Sequence, residues 1–210
     1  MVARWARSSA LLLLGALICA GVAAWAAPRP DDGSDERSLA GRLLVATPEL
    51  TDPNFDRTVV FMIQHDASGA MGLVINRVVA AGPLAELLEG LGIEAETDPE
   101  VDIRVFAGGP VGREHGFVLH STDYHGETTV EVTDKVAMTS SLDVLRDIAA
   151  GKGPERSLFA LGYAGWAPNQ LESEIAAGAW YSVEADDALL FDDEIETKWQ
   201  RALDRQGIEL

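Results

Sequence analysis

The chain has 210 residues, 47% hydrophobic and 24% charged, which is enough apolar material for one globular domain with a real core. Its formal net charge of -18 at pH 7 repels phosphate backbones and anionic membrane surfaces. That excludes charge-driven nucleic-acid binding and leaves solubility as the plain meaning of the acidity, with cationic partners as the alternative. The only cysteine, Cys19, excludes internal disulfides and thiolate metal clusters.

Residues 1–26 read as a targeting segment, because Arg4 and Arg7 precede an apolar run that closes on Ala24-Trp25-Ala26 and is followed by Pro28. Cleavage after Ala26 is the expectation and leaves a mature chain two charges more negative. The run also approaches the lower limit for a membrane-spanning helix, so a retained anchor is the alternative. Ala16-Leu-Ile18 lacks the small residue that a lipoprotein signal places just before its cysteine. The expected location is therefore outside the cytosol, periplasmic or membrane-anchored, with contact to a membrane only through an uncleaved segment. Residues 27–40 are polar and rich in Pro, Gly and Ser and read as a flexible linker before a domain over 41–210.

Within the domain, 43–46 is a short apolar strand candidate. Residues 59–63 and 73–75 are continuous β-branched runs of the kind covered on both faces. Asp66-Ala-Ser-Gly69 supplies turn chemistry between them, which predicts a central hairpin. Pro83 followed by Leu84, Leu87, Leu88 and Leu91 predicts an amphipathic helix ended by Gly92. Strands are expected over 101–107 and 116–120, flanking Gly108-Gly-Pro110, and again over 128–132. Ser140-Ser-Leu-Asp143 has the form of a helix cap, with Leu142, Leu145 and Ile148 as the apolar stripe of the helix it opens. A strand over 157–161, a helix over 169–177 closed by Gly178, a strand over 180–183 and a helix over 194–203 complete the order. In that last helix Ile195, Trp199 and Leu203 align. Hairpins mixed with single helices give an α+β fold class rather than a doubly wound α/β one.

Several phrases follow one another in a distinctive order. They are Asp52-Pro-Asn-Phe-Asp-Arg-Thr58, Gly69-Ala-Met-Gly-Leu-Val-Ile-Asn-Arg77, Gly108-Gly-Pro-Val111, Gly116-Phe-Val-Leu-His120, Thr139-Ser-Ser-Leu-Asp143, Gly162-Tyr-Ala-Gly-Trp166 and Gln170-Leu-Glu172. Between Leu43 and Ile208 the chain closely resembles the AlgH/YqgE family of bacterial proteins, whose members are often called transcriptional regulators. The resemblance implies one domain with a mixed, largely antiparallel, partly barrel-like sheet and flanking helices. It brings a fold rather than an activity. Members of that family generally begin near the position of Leu43 and look cytosolic, so the amino-terminal signal departs from them and a cytosolic location is the alternative.

Motifs for chemistry are sparse. No Gly-x-Ser-x-Gly elbow is present, no phosphate loop is formed by Gly108-Gly-Pro110, and no cofactor or catalytic residue is assigned. His115 and His120 lie five apart on a strand and so face opposite sides, which argues against a metal site, and His65-Asp66 reads as an exposed polar pair at the hairpin turn. The more specific candidates are Asp52, Asn54 and Arg57 before the first hairpin strand and Asn76 and Arg77 after the second. Loop residues placed by rigid strands are favoured for binding. With Gly109, His120 and Trp166 they make a candidate anion or peptide pocket. The competing account gives Asp52 and Asn54 to local turn bonds and pairs Arg57 or Arg77 with the carboxylates of Asp52 and Asp56. The leading function is a noncatalytic interaction or ligand-binding domain in the cell envelope, with an unknown protein or small-ligand partner. An enzyme of unrecognised type ranks second. Direct DNA binding ranks last, because 134–156 balances Lys135, Arg146, Lys152 and Arg156 against acids and no basic face appears.

Overall fold

The computed structural model describes residues 38–94 and 101–207, so the targeting segment over 1–26 and most of the linker lie outside the described residues. In chain order the elements are β1 (Arg42–Ala46), β2 (Val59–Asp66), β3 (Gly69–Val74), β4 (Val78–Pro83), α1 (Leu84–Gly90), β5 (Asp102–Ala107), β6 (Val111–Ser121), β7 (Thr129–Glu131), β8 (Val136–Thr139), α2 (Asp143–Ala149), β9 (Ser157–Trp166), α3 (Gln170–Ala176), β10 (Trp180–Glu184), α4 (Asp187–Phe191) and α5 (Ile195–Leu203). The class is α+β, as the mixed order of hairpins and helices requires. The described residues form two compact units, each assembled from non-contiguous segments, so no single point along the chain separates them.

One unit comprises residues 38–77, Phe106–Arg113 and 160–207. Its strands β10, β1, β2, β3 and the end of β9 pair in that order, all antiparallel. The predicted hairpin is β2–β3, with Val60 opposite Val74 and Asp66 opposite Gly69. Leu43, Leu44, Val45, Val59, Val60, Phe61 and Leu73 are all fully buried, which explains why these strands read as unbroken apolar runs rather than alternating ones. Gly72 is required in β3 because a Cβ there would lie 2.6 Å from the Val60 side chain and 2.8 Å from the Phe61 carbonyl.

The other unit comprises residues 78–94, 101–105 and Glu114–Phe159. Here β6, β8 and β7 form an antiparallel run, with Leu119 opposite Met138 and Val130 opposite Met138 on its other side. The helix predicted after Pro83 is α1, and Leu84, Leu87 and Leu88 are its buried face.

Several expectations need correction. Ser140 and Ser141 do not cap α2 as drawn: its cap residue is Leu142, with no side-chain cap bond, and Ser141 instead bonds Asp143 through both backbone N–H and carboxylate. Val144 and Ala149 are buried with Leu145, so the helix face is rotated from the predicted stripe. In α5 the buried residues are Lys198 and Ala202, not the half-buried Ile195, Trp199 and Leu203. Lys198 is fully buried because its ammonium reaches the Leu189 carbonyl at 2.6 Å, at the carbonyl end of α4, and stands 3.2 Å from Asp192 Oδ1. A long amphipathic side chain thus fills a position that hydrophobicity alone would not assign to it.

Candidate functional site

The candidate site starts as a turn. Asp52 Oδ1 accepts from the Asn54 backbone N–H at 2.8 Å and from the Asn54 amide at 3.1 Å, and the Asp52 carbonyl accepts from Phe55 and Asp56 N–H. This is the local turn bonding expected of Asp and Asn. One helical turn results, ending on Arg57 in the left-handed region at φ 52°. Such a turn leaves carbonyls without helical partners.

Arg77 takes them. Its Nη1 donates to the carbonyls of Pro53 at 3.0 Å and Asn54 at 2.8 Å, and its Nη2 donates to the Asp56 carbonyl at 2.8 Å. A guanidinium presents a fork of donors fixed in one plane, so one side chain can hold three oxygens at once. Asn76 closes the other side, its amide donating to the Arg57 carbonyl at 2.9 Å and its Oδ1 accepting from Val59 N–H at 2.9 Å. The charge pairing expected of Arg77 with Asp52 or Asp56 is thus replaced by neutral carbonyls, because the turn aims its backbone oxygens at the guanidinium. Arg57 instead lies over Trp199, with Cζ 5.4 Å from the ring centroid.

The turn is seated on an aromatic cluster. Phe55 stacks on Trp166 at 6.2 Å and meets Trp180 edge-on at 5.4 Å, and the two tryptophans are 5.9 Å apart. Glu174 Oε2 accepts both indole N–H groups, from Trp166 at 3.0 Å and Trp180 at 2.8 Å, while Oε1 accepts the Gln170 amide. Trp166 is 6% exposed and serves as a wall of this core rather than as an open surface. Asp52, Asn54, Arg57, Asn76, Arg77 and Trp166 therefore belong to one constellation. Phe55, Trp180, Glu174 and Trp199 complete it, and none of them is a site candidate from sequence. The Phe in Asp52-Pro-Asn-Phe-Asp-Arg57 was the available signal, since an aromatic inside a polar turn needs somewhere to be buried.

Gly109 has a different role. A Cβ at this position would lie 2.0 Å from the Tyr163 carbonyl carbon, so the residue lets two backbones touch.

His120 belongs to the unit built on β6, β8 and β7. It is fully buried, with Nδ1 2.8 Å from the Ser121 carbonyl and Nε2 2.8 Å from Thr139 Oγ1. A carbonyl only accepts, so Nδ1 carries the proton and Nε2 accepts from the Thr139 hydroxyl. Thr139 then accepts from Thr129 at 2.7 Å, and Thr129 accepts from Gly126 N–H at 2.8 Å. Burial holds His120 below the ordinary histidine pKa. Tyr124 packs edge-on against the imidazole at 5.5 Å and donates to Asp147 at 2.7 Å; burial and that carboxylate push its pKa up to about 12. His115, five residues earlier on β6, is exposed together with its neighbours Arg113 and Glu114, whereas Val118–Ser121 are all buried, so position along the strand rather than alternation separates the two histidines.

His65 is not the exposed pair expected. Its side chain is 7% exposed, Nδ1 accepts from Leu39 N–H at 3.1 Å and Nε2 lies 3.1 Å from Glu172. Among the described residues no three His, Cys, Asp or Glu side chains gather to hold a metal ion, and no helix is long and apolar enough to cross a membrane.

A family model described as AlgH-like matches residues 43–210. A protein of Caulobacter vibrioides named UPF0301 protein is 47% identical over 179 residues, covering 84% of this chain and 91% of the relative. A UPF0301 protein of Methylococcus capsulatus is 41% identical over 181 residues, covering 86% and 98%. Among solved structures, the solution structure of the AlgH protein from Pseudomonas aeruginosa matches with a TM-score of 0.69 at 40% identity, covering 84% of this chain and 93% of that one. A crystal structure of a Corynebacterium diphtheriae protein matches with a TM-score of 0.63 at 18% identity, a likeness of fold alone.

Proposed function

We propose, from the premise that the chain belongs to the AlgH-like family, that it is a noncatalytic interaction domain of the cell envelope. It presents the exposed loop 52–57 to a protein or small-ligand partner. The observation that carries this reading is the Arg77 clamp: three guanidinium hydrogen bonds fix a loop in which Asp52, Pro53, Asn54, Asp56 and Arg57 are all exposed. A loop ordered in advance loses little conformational entropy when a partner meets it. The two groups best suited to catalysis, His120 and Arg77, have their hydrogen-bonding capacity directed into the structure, which favours binding over proton transfer. The envelope location rests on the order of Arg4, Arg7, the apolar run and Ala24-Trp25-Ala26.

A photo-crosslinking residue placed at Asp56 in living cells tests this. A discrete crosslinked species in the envelope fraction is expected, absent when the same residue replaces the exposed Lys152. No species from position 56, or equal crosslinking from both positions, contradicts the reading.

A further inference from the structure

Arg57 combines three features that a surface arginine rarely shows together. First, its backbone sits at φ 52°; the other non-glycine residue with positive φ among the described residues is Asn169, a type that tolerates this region, whereas arginine does not. Glycine would occupy the position without strain, so the side chain must return something that offsets it. Second, its guanidinium makes no hydrogen bond among the described residues, although Arg146, Lys198, Arg201 and Arg205 of the same acidic chain all pair with carboxylates. Third, it is backed by the Trp199 ring, and that ring is itself fixed by an indole N–H bond to the Ala46 carbonyl at 2.8 Å.

We propose that Arg57 is a binding contact for a carboxylate of the partner, the guanidinium gripping both oxygens while Trp199 supports its face. This rests on the interaction reading and specifies the partner's chemistry. An aromatic face attracts the cation without using its N–H donors as a carboxylate or carbonyl partner would, and a planar fork matches a planar two-oxygen anion. Among the described residues no ion pair joins Asp52 to Arg57, and Asp52 Oδ1 accepts from Asn54 instead. The Asp56 carboxylate next in sequence, and the chain's charge of -18, penalise a phosphate dianion more than a monovalent carboxylate. The carboxylate comes from an acidic side chain or from a chain terminus, which share this chemistry.

The full-length ¹⁵N-labelled chain is titrated with acetylglutamate amide, which offers a side-chain carboxylate, with acetylalanine, which offers a terminal one, and with inorganic phosphate. The Trp199 indole N–H resonance is the reporter. A saturable shift with a carboxylate is expected, at least several-fold tighter than with phosphate, and the tighter of the two carboxylates identifies the source. Arg57→Gly keeps the left-handed backbone: it should melt at the same or a higher temperature and lose the shift, while Arg57→Lys should bind several-fold more weakly. Absence of a saturable carboxylate shift, preference for phosphate, full binding by the lysine variant, or a lower melting temperature of the glycine variant overturns the proposal. In the last case the Arg57–Trp199 stack serves stability alone. The two readings fail separately: a crosslink from Asp56 that survives in Arg57→Gly sinks the arginine contact and leaves the loop interaction intact.

Discussion

Asn76 substitutes for a stretch of backbone beside Arg57. Its Oδ1 accepts the Val59 N–H and its amide donates to the Arg57 carbonyl, both at 2.9 Å, so one side chain supplies the donor and acceptor that a neighbouring strand would offer. Val59 is fully buried, and its N–H has no route to water if Asn76 is lost. Asn76→Ala should therefore cost about 2–3 kcal/mol in urea denaturation, the sum of a stranded buried donor and one further bond. Asn76→Asp keeps the acceptor but turns a carboxylate toward a carbonyl, and should be less damaging yet still below wild type.

Stability should fall on mild acidification because of His120. Burial keeps its folded pKa below the unfolded value, near 6.5. The unfolded chain then takes up a proton that the folded chain refuses, so this contribution is complete above about pH 6.5 and declines as pH drops from there toward the folded pKa. Asp123 favours the charged ring and His125 opposes it, but desolvation is the largest influence. The hydrogen-bond chain from Thr129 through Thr139 also stabilises neutral Nε2. Denaturation midpoints at pH 7.5, 6.5 and 5.5 should decline in wild type, and His120→Asn should flatten that decline whatever its absolute stability. Asp66, Asp143 and Glu172, each held below its ordinary pKa, contribute a separate loss that sets in below about pH 5.

Gly109→Ala should be among the most damaging small substitutions. The new methyl would meet backbone atoms of Tyr163 at 2.0–2.2 Å, and backbone does not rotate aside. About 3 kcal/mol or more is expected, against roughly 1 kcal/mol for Gly92→Ala, where φ is +70° but nothing lies within 4 Å. Equal melting temperatures for the two variants would show that the strands accommodate the methyl by separating.

Duplex DNA should not be a ligand. A chain at -18 releases few counterions from a phosphate backbone, so gel-shift titration at physiological salt should show no sequence-specific complex tighter than about 10⁻⁷ M. A tighter, sequence-dependent complex would restore the regulator reading.

The fold was legible where one physical signal dominated. Buried β-branched runs around Asp66-Ala-Ser-Gly69 specified β2–β3, and the leucine spacing after Pro83 specified α1. β4 was missed because Ala80, Ala81 and Gly82 carry neither alternation nor β propensity, and β8 because its four residues are too short to show a period. α4 is a single turn whose start is marked only by Asp186, which accepts from Leu189 N–H. At the site, sequence brought Asp52, Asn54, Arg57, Asn76 and Arg77 together by hairpin geometry alone. It could not show that Arg77 chooses carbonyls over carboxylates, because carbonyl direction depends on turn dihedrals that residue types leave open. Nor could it show that Lys198 and His65 are buried, since both depend on distant acceptors and donors: Leu189 and Asp192 for one, Leu39 and Glu172 for the other.

The central claim is that Arg77 holds loop 52–57 rigid before any partner arrives, and backbone hydrogen exchange tests it most directly. In the free wild-type chain the amides of Phe55, Asp56 and Thr58, bonded to the carbonyls of Asp52 and Phe55 at 2.7–3.1 Å, should exchange well below the unprotected rate. In Arg77→Ala they should approach it, by a factor of roughly ten for each 1.4 kcal/mol of clamp lost, while Val60, Phe61 and Leu73 in the hairpin stay protected. Unprotected loop amides in wild type, or unchanged protection in Arg77→Ala, would contradict the account.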